Sequence, residues 1–420
     1  MIAPTHRFVA PTVALFLAFL VSCSSPVDRT ARFDVVEATI PEMQEAMAEG
    51  RVTSRELVEA HLVRIALYEE GVNAVMEVNP RALEIADSLD RERAAGQIRG
   101  PLHGIPVALK DNIHTTDMHT TGGALAFEGF TPPYKATLTR NLEDAGAIIL
   151  AKTVLTELAN FMASGMPTNY SALGDYGRNP YDPRRDPREG RNDGRPVMAT
   201  GGSSSGIGTA MSFWAANVGT ETSGSILSPS NQNMLAGIKP TVGRVSRYGV
   251  IPITADQDIP GPMARTVTDA AIMFGALEGT GTDPNDPSMS RCEAPTNSDY
   301  TAFLNAEGLQ GARIGIPRAM YYDSVQVPGS DRWRGGMSDA ARAMMDTVMA
   351  VLQEQGAIIV DPADIPSILD QDESQNLMLN GQSSVLNYGM KRDFNLWLES
   401  LGDAAPVKSL TELRDWNLAH

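Results

Sequence analysis

Residues Thr200–Thr209 read TGGSSSGIGT, three consecutive serines between glycines. Such a loop could cradle phosphate, house a nucleophile or serve as a tether. A phosphate loop places lysine directly after its second glycine, to reach the terminal phosphates. Gly201 and Gly206 have the spacing, but Ile207 stands where the cation belongs. No G-x-G-x-x-G follows a strand, so the dinucleotide fingerprint is missing too. Gly202–Gly206 satisfies G-x-S-x-G with Ser204 central, but that motif's acid and histidine follow the serine along the chain. Of the six histidines (His6, His61, His103, His114, His119, His420), only the last lies downstream. A tether is flanked by polar sequence, whereas Ile207–Val218 is apolar.

A serine nucleophile without histidine needs another base. Lysine can serve where burial lowers its pKa towards neutrality. There are six lysines: Lys110, Lys135, Lys152, Lys239, Lys391 and Lys408. None follows a serine at S-x-x-K spacing, which sets aside a β-lactamase-like arrangement. Lys110 closes the apolar run Ile105–Leu109 and precedes Asp111-Asn112. The carboxyl end of a buried strand opens into the crevice where α/β proteins bind ligands. A second small-residue segment, Gly219–Ile226 (GTETSGSI), lets backbone N–H groups approach an oxyanion.

The elements that must carry these residues follow from periodicity. Thr53 or Ser54 caps a helix over Ser54–Glu70, with Leu57, Leu62, Ile65 and Ala66 on one face. Asn79–Gly96 repeats the helical pattern, and Ala136–Ala145 is a third helix. Ile105–Leu109, Ala147–Ala151 and Asn217–Thr220 read as strands, Met198–Gly208 as a loop and Thr209–Ala215 as a helix. Arg313–Pro317 and Ile358–Val360 are strands flanking a helix over Asp339–Gln355. Tyr181–Pro196 is a polar surface loop. Alternating helices and strands without a repeat favour an α/β layered fold, with no linker after residue 33.

The chain has 420 residues, 42% of them hydrophobic and 20% charged, and a net charge of −17. A globular core is expected, and the acidity argues against a nucleic-acid partner. Residues 1–22 read as a signal peptide: a basic start, the apolar stretch Phe8–Val21, then Leu20-Val21-Ser22-Cys23. That ending is similar to a bacterial lipoprotein processing site. It makes Cys23 the acylated N-terminus, with residues 23–32 a tether and 33–420 the folded domain. Ser24, in place of Asp, fits an outer-membrane address, with the domain facing the periplasm or cell exterior. Cys292 is the only other cysteine, which leaves neither an intrachain disulfide nor a cysteine-based metal site. His114 and His119 bracket Asp117, a spacing too weak for a metal site. Lys152, Arg265 and Asp269 read as structural, and the 20 methionines as core filler.

Pro101–Ile113 (PLHGIPVALKDNI), Gly201–Gly206 (GGSSSG) and Gly219–Ile226 together resemble the amidase signature family. So do Gly237–Pro252 (GIKPTVGRVSRYGVIP) and Asp258–Ala271 (DIPGPMARTVTDAA). The likeness runs over roughly residues 36–420, with separated motifs in the same order. Its wording is most similar to secreted bacterial amidases of the peptide-amidase type. The resemblance implies an α/β/α layered fold around a central mixed, twisted sheet. It implies hydrolysis of linear amides to acid plus ammonia or amine through an acyl-enzyme, without a cofactor or metal. Ser225 would be the nucleophile, Ser203 a bridging serine on a cis peptide bond and Lys110 the base. The N–H groups of Thr222, Ser223, Gly224 and Ser225 would form the oxyanion hole. The glutaminase subunit of a tRNA-dependent amidotransferase shares these motifs, as would an inactive exported lipoprotein.

The chain departs from the family pattern in places. Ser203 and Ser225 lie 22 positions apart, a shorter span than is usual, with the shortening expected in Phe213–Asn217. Ser223 stands where Gly or Asp is common, and Leu227 where Arg is frequent. Members of the family continue past the segment matched by Val385–His420, so the resemblance implies that a C-terminal part is missing.

Overall fold

The apolar runs form buried strands because both faces of the sheet are covered. The computed structural model describes residues 33–161, 165–293, 297–379 and 383–420. The expected signal peptide, Cys23 and the expected tether lie outside the described residues. Up to residue 264 the strands are β1 (Val75–Val78), β2 (Pro106–Lys110), β3 (Ile148–Thr153), β4 (Tyr170–Ser171), β5 (Asp175–Tyr176), β6 (Ala216–Glu221), β7 (Ala236–Gly237) and β8 (Ile259–Ala264). Six of them form one mixed sheet in the order β1-β3-β2-β6-β8-β7. The β3–β2 and β2–β6 pairs are parallel, and the others antiparallel. β2, β3, β6 and β8 are buried at every position, so they need no polar alternation.

Helices α1 (Ile40–Ala48), α2 (Ser54–Val72), α3 (Ala82–Ala94), α4 (Thr137–Asp144), α5 (Ile207–Ala210), α6 (Leu227–Gln232) and α7 (Val267–Glu278) complete the layers. Val107 and Leu109 of β2 share a core with Met43 of α1, Leu142 of α4 and Met273 of α7. Ala108 points the other way, into a core with Val58, Ile65, Ala86, Leu89 and Trp214. Alternation along one strand therefore feeds two cores, one on each face of the sheet.

Local signals explain the helix boundaries and the differences from expectation. Thr53 and Glu56 form a reciprocal capping box at the start of α2. The buried stripe of α2 includes Leu57, Val58, His61 and Ile65, while Ala66 faces solvent. α3 begins at Ala82 rather than Asn79, because the Asn79 side chain donates to the Ile149 carbonyl at 2.8 Å. The helix expected over Thr209–Ala215 is one turn only, α5. Ser212 takes φ +54°, and Trp214 folds back over Gly208, where a Cβ would sit 2.0 Å from the indole. The indole N–H donates to Thr209 Oγ1 at 2.8 Å. Burying the indole outweighs helix propensity, which is a weak prior.

Beyond α7, β9 (Arg313–Gly315) pairs with β12 (Ile358–Val360), and β10 (Ser324–Gln326) with β11 (Trp333–Gly335). α8 (Asp339–Glu354), α9 (Pro366–Leu369), α10 (Ser383–Ser400) and α11 (Leu410–Ala419) follow. α10 and α11 bring Phe394, Trp397 and Leu413 onto Phe127 and Phe130 in a third core. Trp397 Nε1 donates to His114 Nε2 at 3.0 Å there.

Two buried histidines make the fold acid-sensitive. Burial holds His61 at about 4, and burial with Lys152 nearby holds His114 at about 3, both down from 6.5. A depressed folded pKa means the unfolded chain takes up protons first. The stability is present above pH 6.5 and is lost as pH falls towards those values. Each histidine is expected to cost about 2 kcal/mol between pH 7 and 5. Denaturant midpoints compared at the two pH values check this, and equal midpoints would contradict it.

Candidate active site

Lys110 and Thr220 arrive side by side because β2 and β6 run parallel, Leu109 opposite Val218. The serine loop lies across these strand ends, held at several points. The Thr200 carbonyl accepts from Asn233 Nδ2 at 3.0 Å and the Ser205 carbonyl from Asn217 Nδ2 at 3.1 Å. Ser204 Oγ accepts from the Thr220 N–H and donates to the Thr220 carbonyl, each at 3.1 Å. The central serine is thus a clip between loop and strand. The glycines before it permit close approach: a Cβ on Gly202 would lie 2.9 Å from Ser225 Cα.

The three expected residues come together. Lys110 Nζ lies 3.2 Å from Ser203 Oγ, which lies 2.8 Å from Ser225 Oγ, both in hydrogen bonds. Exposure rises along this line, from 0% at Lys110 to 2% at Ser203 and 9% at Ser225. Ser225 is thus the least enclosed of the three. The cis bond expected at Ser203 is not found; among the described residues the one cis bond is Asp361–Pro362. The serine loop bends at Gly201, which takes φ +95°.

Burial brings Lys110 down to about 7, against the opposing pull of Asp258 and Glu221. A lysine near neutrality can exchange a proton with a hydroxyl at physiological pH. Burial pushes Asp258 up to about 6, although it accepts from Thr222 Oγ1 and from the N–H groups of Ile253 and Thr254. Glu221 accepts from the N–H groups of Ile226 and Leu227 at 2.7 and 2.9 Å, pinning the turn that carries Ser225. Thr222, Ser223 and Gly224 form that turn, with Gly224 at φ +82°.

Several residues set aside as structural have structural contacts. Lys152 Nζ donates to the His119 carbonyl and Thr120 Oγ1, each at 3.0 Å, and pairs with Asp111 at 3.4 Å. Arg265 binds the carbonyls of Ala38, Thr209 and Trp214, and Asp269 accepts from the Ile40 N–H. His119 pairs with Glu77 at 2.9 Å. Thr220, Asn112, Asp258 and Glu221 were not picked out from the sequence. One signal existed for Thr220: it is a polar residue two positions after Val218, on a strand face that buries Val218.

Comparison with known proteins identifies the family. The amidase family model matches residues 56–414. A putative amidase of Schizosaccharomyces pombe is 37% identical over 80% of this chain and 54% of its own length. A glutamyl-tRNA(Gln) amidotransferase subunit of Chloroflexus aurantiacus is 37% identical over 77% of the chain and 60% of its own length. The chain thus spans little more than half the length of these relatives. The crystal structure of the peptide amidase of Stenotrophomonas maltophilia superposes with a TM-score of 0.76 at 35% identity, covering 91% of this chain and 72% of that one. A buried lysine, two serines in line and a mixed sheet that places them thus meet a family match over most of the sequence: the chain belongs to the amidase family.

Proposed function

We propose that the protein hydrolyses linear amides to acid plus ammonia or amine, with Ser225 as nucleophile, Ser203 as relay and Lys110 as base. The observation that carries this is the continuous hydrogen-bonded line from Lys110 Nζ through Ser203 Oγ to Ser225 Oγ. Neutral Lys110 takes the Ser203 proton while Ser203 takes that of Ser225, whose oxygen attacks the amide carbon. The backbone N–H groups of Thr222, Ser223, Gly224 and Ser225 receive the oxyanion, a donor of this kind contributing about 3 kcal/mol. The proton returns through Ser203 to the departing nitrogen, and water then cleaves the acyl-enzyme ester. The likeness to a peptide amidase supports peptide amides as substrates. Ammonia release across a panel of simple and peptide amides tests the reading; Ser225→Ala as active as the parent refutes it.

A second reading rests on the identity to the amidotransferase subunit. It predicts glutamine hydrolysis that depends on tRNA and a partner protein, and co-purification with both would favour it. The sequence before residue 33 supports export and a lipid anchor on Cys23, with the domain facing the periplasm or cell exterior. Membrane fractionation with labelled palmitate checks this. The parent is expected to carry label and pellet with the outer membrane, and Cys23→Ser to lose both; an unlabelled parent contradicts it.

A further inference from the structure

We infer that Thr220 is the acceptor that holds Lys110 once the lysine has taken the relay proton, and that Asn112 keeps Thr220 in place for that task. The inference rests on the relay reading above and adds a residue to it. Lys110 Nζ is closer to Thr220 Oγ1, at 2.9 Å, than to Ser203 Oγ, at 3.2 Å, and the Thr220 carbonyl lies at 3.4 Å. An ammonium has three N–H donors, and these are three acceptors. A neutral amine has two hydrogens and one lone pair. With both hydrogens on the oxygens of Thr220, the lone pair faces Ser203. One residue thus aims the base before proton transfer and receives the cation after it.

Thr220 is itself held from several sides. Asn112 Nδ2 donates to Thr220 Oγ1 at 3.0 Å and to the Ile251 carbonyl at 3.4 Å. Ser204 Oγ clips the Thr220 main chain, and the β-branched side chain has a stiff first torsion. Thr220 is buried, so its oxygens do not trade the lysine for bulk water.

The charged groups around Lys110 leave this contact to Thr220. Asp258, ahead of β8, is engaged by Thr222, Ile253 and Thr254. Glu221, at the end of β6, is engaged by the N–H groups of Ile226 and Leu227. On β3, Lys152 pairs with Asp111. The carboxylates attract the ammonium through space, while the oxygens of Thr220 touch it. In the transfer an O–H bond of Ser203 breaks and an N–H bond of Lys110 forms, with Thr220 unchanged.

The test compares the parent, Thr220→Val and Thr220→Ser by two readouts. One is the pH profile of ammonia release; the other is the titration of Lys110 in protein labelled with 13C at lysine Cε. A hydrogen bond to a charged group is worth about one pKa unit or more. Thr220→Val is expected to move the acid limb and the Lys110 titration down by about one unit. It should also lower kcat roughly 10- to 100-fold with KM unchanged, and Thr220→Ser should restore both. If Thr220→Val does not fold, Thr220→Ala removes the same hydroxyl and carries the same comparison. A Lys110 midpoint that stays put or rises in a folded variant overturns the inference. The titration needs no turnover. An inactive parent, or an active Ser225→Ala, therefore defeats the relay reading and leaves this contact to be judged separately.

Discussion

Ser225→Ala is expected to lower kcat for amide hydrolysis by about 10^5-fold or more, the loss seen when a nucleophile acting as part of a unit is removed. Neither Ser203 nor Ser204 stands ready to replace it. Ser203 is enclosed between Lys110 and Ser225, and Ser204 is spent clipping the loop to Thr220. KM should change little, because the lost oxygen bonds to substrate only in the reacting state. The fold should persist, since one hydrogen bond of about 1 kcal/mol is lost and no cavity larger than an oxygen is made. Initial rates of ammonia release, with unfolding midpoints alongside, check both halves. Residual kcat above about one part in a hundred would remove Ser225 from its role.

Lys110→Met is expected to act in opposite directions on activity and stability. Loss of the base should lower kcat by about 10^4-fold, at the upper end of acid–base contributions. In the parent, the rate should rise with pH through about 7, because the relay needs the neutral amine and the ammonium prevails below that value. Met should abolish that limb. The stability effect follows from the same depressed pKa. Between about 7 and 10.5 the unfolded chain holds the Lys110 proton and the folded chain does not, so this group adds stability as pH rises and costs stability near neutrality. Replacing it with a buried thioether of similar length removes that cost. An increase of roughly 2 kcal/mol at pH 7 is expected, measured by denaturant unfolding. A variant both inactive and destabilised would mean Lys110 is chiefly a structural ion.

Much of this was legible in the residues because the physics behind it is local. β2, β3 and β6 follow from apolar runs, and the place of Lys110 follows from the end of one of them. The absence of Lys at position 207 and of a downstream histidine other than His420 removed the competing readings of the serine loop. What was not legible depends on contacts between distant segments. α5 stops short because Trp214 needs the space above Gly208. Thr220 gains its meaning only when β2 pairs with β6. Asp258 and Glu221 read as ordinary acids until Thr222 and the Ile226 N–H settle on them. The turn at Ser203 is made by Gly201 without a cis bond, a choice of backbone that composition does not reveal.

The central claim is that acyl transfer passes through Ser225. The direct measurement is to acid-quench the protein during turnover of an activated amide or ester and map the adduct by peptide mass spectrometry. The acyl mass is predicted on the peptide carrying Ser225, absent in Ser225→Ala, and accumulating in proportion to the burst of released amine or alcohol. An acyl group on Ser203 or Ser204, or steady turnover with no adduct at all, would contradict the account.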